Sequence, residues 1–136
     1  MLNFKNILYP IDLDSDNISS LEKALEFARS LNCSIHILYV NDVLAGYRHP
    51  ADHEDAVALK VKDTVDESIL ENMDIIYAVS KGDAAEEIVN YAQNNSIDLI
   101  IIGHKHRGKL YANLFDSTDV DTIDKASLPV LVLPEK

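Results

Sequence analysis

Four apolar residues stand in an unbroken row, Leu99-Ile100-Ile101-Ile102, between Asp98 and Gly103. A strand with one wet face alternates apolar and polar side chains. A strand without alternation must be covered on both faces, which is the condition inside a parallel sheet. The row therefore calls for helices above and below it, and the rest of the chain offers them. Short apolar runs at Ile7 to Ile11, Ser34 to Val40, Ile75 to Val79 and Pro129 to Leu133 read as further strands. Between them lie helical stripes: Leu21, Ala24, Leu25, Ala28 and Leu31; then Val57, Val61, Val65 and Ile69; then Ala85, Ile88, Val89 and Ala92. A last helix is expected around Ser117 to Ala126. Five strands alternating with four helices predict a doubly wound α/β sheet with helices on both faces. The 136 residues carry no composition break and no internal repeat, so residues 1–136 read as one domain.

Charge narrows the function. Twelve Lys and Arg stand against 23 Asp and Glu, a formal net charge of −11. Such a chain has no overall attraction for nucleic acid or an anionic membrane. No apolar run nears the ~20 residues that span a bilayer. Residues Met1 to Asn6 lack the basic-then-apolar plan of a signal peptide. The single cysteine, Cys33, cannot form an internal disulfide and reads as a passive residue at a strand start. A cytoplasmic protein is the expectation.

Open α/β sheets bind ligands beyond the carboxyl ends of their strands, where the winding reverses. Four loops should reach that edge: Asp12 to Ser20, Asn41 to Asp52, Ser80 to Asp83 and Gly103 to Asp116. In the first, Asp12 can accept hydrogen bonds from a ribose or a base amine, or it can simply solvate a turn. His49, His53, His104 and His106 fall on the same edge, but solvated loop histidines are far commoner than ligands, and no metal is expected. The fourth loop holds Lys105, Arg107 and Lys109 within seven residues of an acidic chain. Arg107 could grip a phosphate in a bidentate clamp, with the lysines as mobile charges. Past that loop, Asp116, Asp119, Asp121 and Asp124 suit a helix start and occupy the place a phosphate would want. There is no nucleophile elbow and no Walker loop, so no catalytic residue is assigned.

Several segments together resemble the universal stress protein family, in its small single-domain members, over essentially the full length. They are Asn6 to Asp12, Ile35 to Val40, Gly82 to Ile88, Asp98 to Gly103 and Ser127 to Val132. The resemblance implies a parallel sheet in the order 3-2-1-4-5 and a homodimer paired through the last strand, residues 128–133. It also implies a nucleotide crevice, with Asp12 and Val40 at the adenosine half and Gly103, Ser117 and Thr118 at the phosphate half, to which the basic loop would add Arg107. ATP-binding members resemble one another in a glycine pattern: Gly, two residues, Gly, nine residues, then Gly with Ser or Thr. Here Gly103 and Ser117 fit, but His106 and Asp116 replace the other glycines. A carboxylate ~4 Å from a phosphate costs about 4 kcal/mol at an effective dielectric of 20. The expectation is a non-enzymatic stress-response protein with weak or absent ATP binding. Two alternatives stay open: an ATP or AMP binder that uses the basic loop 103–109, and a slow nucleotide hydrolase.

Overall fold

The computed structural model describes residues 4–11, 19–41, 54–104 and 127–134. Five parallel strands are β1 (Asn6–Pro10), β2 (Ser34–Asn41), β3 (Ile75–Lys81), β4 (Leu99–His104) and β5 (Val130–Pro134). Their order in the sheet is β3-β2-β1-β4-β5, the order implied by the resemblance. Among the described residues the helices are α1 (Ser19–Ser30), α2 (Glu54–Thr64), α3 (Glu67–Leu70) and α4 (Ala84–Asn94). The helix expected at Ser117 to Ala126 lies outside the described residues.

Alternation along the inner strands sorts the core into two layers. Ile7, Tyr9, Ile35, Ile37, Tyr39 and Ile101 pack with α1 and α2 through Leu21, Leu25, Val57 and Val61. Leu8, Leu38, Val40, Ile100 and Ile102 pack with α4 through Ala84, Ala85, Ile88 and Ala92. Each large aliphatic side chain so buried contributes about 1.5–3 kcal/mol. The edge strands β3 and β5 are largely half-buried, in keeping with a strand neighbour on one side only among the described residues.

The stripe Val57, Val61, Val65 and Ile69 does not lie on one helix. α2 stops at Thr64, and Asp66 caps a separate short α3 by accepting from the Ser68 N–H at 3.1 Å. Val65 still bonds back to the Val61 carbonyl and stays buried, so the apolar spacing outlives the helix. A local Asp cap has competed with continuation of the helix. Helices α1 and α4 end alike. Asn32 and Ser96 take left-handed φ of 54°, and the N–H groups of Cys33 and Ile97 reach back to Ala28 and Ala92. That closure turns the chain straight into the next strand.

Candidate functional site

The strand ends are uneven, and the unevenness marks a place. Ile11 N–H donates to the Leu38 carbonyl at 2.9 Å, so the odd-numbered residues of β1 address β2 and Pro10 addresses β4. Proline has no N–H to give. Among the described residues the β1–β4 pairing stops at Leu8↔Ile100, and the β1–β2 pairing stops at Pro10↔Leu38. β2 runs on to Asn41 and β4 to His104. At about 3.3 Å per residue, β2 overhangs its last β1 partner by roughly 10 Å. Among the described residues, the ladder therefore has a notch above the end of β1. It lies where the winding reverses, since β2 and β3 follow on one side and β4 and β5 on the other.

Two of the expected site residues wall this notch. Backbone N–H and C=O groups change sides from one strand residue to the next. Leu38 faces β1, as its bond from Ile11 shows, and Asn41 faces β3, because its carbonyl accepts from Gly82 N–H at 3.1 Å. Val40 shares the parity of Leu38, so its N–H and C=O point toward the side that β1 has left. On the other wall, Ile100 N–H bonds to the Pro129 carbonyl of the segment leading into β5. Gly103, of opposite parity, turns its backbone toward the notch. The two walls are two strand spacings apart, about 10 Å. The Val40 side chain is buried against α4 and Gly103 is half-buried, so each presents backbone to the notch.

Asp12, Arg107, Ser117 and Thr118 lie outside the described residues, as do His49, His53 and His106. Of His104 only the backbone is described, opposite Pro134 at the end of β4. Among the described residues no three His, Cys, Asp or Glu side chains gather in a metal-holding group.

The third loop, Ser80 to Asp83, to which the sequence assigns no role, is fully described. Asp83 caps α4, its carboxylate accepting from Glu86 N–H at 3.1 Å. Ser80 donates its hydroxyl to the Glu87 carboxylate, and Gly82 makes its turn at φ +140°. At the opposite end of the sheet, Asp98 accepts from the Lys5 and Asn6 N–H groups at 2.8 and 2.9 Å. Cys33 is buried there and gives its thiol to the Phe4 carbonyl at 2.9 Å. Burial, then the charge of Asp98, pushes that thiol's pKa up, which makes it a poor nucleophile. A groove of about 490 Å³ lined by Lys62, Glu67, Leu70 and Glu71 follows α2 and α3, at the end of the sheet away from the notch.

Comparison with known proteins agrees with this geometry. The chain is 28% identical over 142 residues to the universal stress protein MJ0531 of Methanocaldococcus jannaschii, covering 96% of this chain and 82% of that one. A universal stress protein in complex with cAMP superposes with a TM-score of 0.69 at 15% identity, covering 98% of this chain and 99% of that chain. A universal stress protein from Archaeoglobus fulgidus in complex with dAMP gives 0.57 at 22% identity, with both chains covered in full. The universal stress protein family itself is matched across residues 3–134, taking in all five strands and the notch between them. The chain belongs to the universal stress protein family.

Proposed function

We propose that this chain is a non-enzymatic stress-response protein whose strand-end notch takes an adenine nucleotide, with ATP held weakly or not at all. The observation that carries the proposal is the pair of backbone walls. Val40 offers a donor and an acceptor side by side toward the space that β1 vacates. An adenine edge carries the complement, an exocyclic N–H beside a ring nitrogen acceptor. Asp12 follows directly on β1 and is suited to the ribose. Gly103 opens the loop that would meet phosphate, with Arg107 as its clamp and Ser117 and Thr118 as hydroxyl donors.

The phosphate half argues for a short anion. His106 and Asp116 stand where ATP-binding members resemble one another in glycine, and Asp116 repels each added phosphate charge. The relatives solved with cAMP and dAMP favour the same choice, a nucleotide with one phosphate. Titration calorimetry with AMP, cAMP and ATP, with and without magnesium, tests the reading. AMP should bind more tightly than ATP. Sub-micromolar ATP binding would replace this reading with one in which the basic loop 103–109 does the work of the lost glycines. Nucleotide hydrolysis by the purified protein that disappears in Asp12→Ala would replace it with an enzyme. The proposal extends to one domain spanning residues 1–136, to a cytoplasmic location and to a homodimer through β5. No helix among the described residues is long and apolar enough to cross a membrane.

A further inference from the structure

Among the described residues, the wall of the notch that carries Val40 has a neighbouring strand on one side. Among the described residues, Tyr39, Val40 and Asn41 have strand partners only in β3: Val79, Ser80 and Lys81. A strand end with a single neighbour frays unless that neighbour is itself held. Here it is held by a compact set of contacts. Gly82 N–H closes onto the Asn41 carbonyl at 3.1 Å, directly after the last β2–β3 pair. Ser80, the partner of Val40, donates its hydroxyl to the Glu87 carboxylate one turn into α4. The Glu87 side chain lies so close over the turn that a Cβ at Gly82 would stand 3.3 Å from Glu87 Cγ. Glu87 is fixed in its own turn, since its N–H bonds to the Asp83 carbonyl at 2.9 Å. Ala84, Ala85 and Ile88 around it are buried.

We propose that Ser80 and Glu87 are positioning residues for the notch: their hydroxyl–carboxylate bond clamps the end of β3 to α4 and so holds the Val40 backbone where it can meet a purine edge. This rests on the nucleotide reading of the notch. Neither side chain is asked to touch the ligand. Two adjacent backbone groups read a base only if their spacing and direction are fixed before it arrives. Any ordering left until binding is subtracted from the affinity. A hydrogen bond to a charged acceptor is stronger than one between neutral groups, which suits it to hold a strand end that β1 does not support.

The test compares Ser80→Ala and Glu87→Ala with Ser80→Thr and Glu87→Gln, which keep a donor and an acceptor in place. Amide hydrogen exchange is read at Asn41 and Gly82 in the free protein, with the buried central residue Ile37 as internal control. AMP affinity is measured alongside. The alanine variants should speed exchange at Asn41 and Gly82 by about tenfold, leave Ile37 unchanged and weaken AMP binding by a similar factor. Ser80→Thr should restore most of both. Exchange and AMP affinity that stay at wild-type levels in Ser80→Ala would overturn the inference. So would a loss of protection at Ile37 in step with Asn41, which would mean general destabilisation. If the wild type binds no AMP, the nucleotide reading falls, and the exchange comparison alone decides whether the clamp exists.

Discussion

His36 Nδ1 and Tyr91 Oη meet at 2.7 Å, joining the middle of the sheet to α4 with the two rings edge to face at 5.5 Å. His36 is 7% exposed, and its burial lowers the imidazole pKa, with the charge of Asp74 opposing in part. In the unfolded chain the ring returns to its ordinary value, about 6.5. As the pH falls through that value, the unfolded state takes up a proton that the native state resists. The stability contributed by neutral His36 is therefore whole above about pH 6.5 and is lost progressively below it, by up to ~1.4 kcal/mol per pH unit. Urea unfolding at pH 7.5 and 5.5 should show a larger acid loss for the wild type than for His36→Gln, which keeps a polar partner for Tyr91 without titrating. Equal losses in the two proteins would mean that His36 carries none of the acid sensitivity.

ATP affinity is expected to be weaker than micromolar and to rise in Asp116→Gly. The substitution removes a negative charge from the phosphate end and restores a residue that lets backbone approach a ligand closely. Adding His106→Gly should raise the affinity further. Arg107→Ala in the Asp116→Gly background should lower it and flatten its dependence on salt, because screening acts on the charge being removed. Calorimetry across a salt series reads all of these. A double glycine variant with no detectable ATP binding would show that the loop does not govern phosphate affinity.

The strands and the two-layer core were legible because they follow from side-chain type, whereas the strand order was implied by the family resemblance. Leu99 to Ile102 could only be a doubly covered strand, and Ala85, Ile88, Val89 and Ala92 recur at helical spacing, the face that α4 buries. The break between α2 and α3 was not legible from apolar spacing, since Val65 and Ile69 keep their places while the backbone does not. Its signal was Asp66, a capping residue two positions before the Ser68 N–H it binds. The notch had a signal too, Pro10, whose missing N–H releases β4, although proline alone does not say which neighbour it faces. The Ser80–Glu87 contact had none. Residues seven apart at a strand end and a helix start meet only once the turn at Gly82 is known.

Burial separates two aliphatic residues that look alike in the sequence. Ile37 is fully buried between β1 and β3, whereas Leu59 on α2 is 60% exposed. Ile37→Ala should cost about 2–5 kcal/mol, the transfer of the lost methylenes plus the cavity they leave. Leu59→Ala should stay within ~0.5 kcal/mol of wild type. Chemical denaturation with a shared slope checks both. A large loss at Leu59 would mean that its face is covered in the protein in solution.

The last strand offers a test of the homodimer that leaves its fold intact. β5 pairs on one side with β4, from Ile100↔Val130 to His104↔Pro134, and no strand lies on its other side among the described residues. Its apolar residues Val130 to Leu133 are half-buried, an edge that invites a second copy. Two-fold pairing of like edges closes such an edge in one step. The Pro129 carbonyl accepts from Ile100 N–H, so Pro129, Leu131 and Leu133 address β4. Val132 then turns its N–H outward, away from the intramolecular ladder. Val132→Pro deletes that donor without removing a β4 bond, and proline is tolerated on edge strands in that orientation. Sedimentation at micromolar concentration should give a dimer for the wild type and a monomer for Val132→Pro, with the circular dichroism of the two unchanged. A wild-type monomer would refute pairing through β5. A Val132→Pro dimer would move the interface to another face.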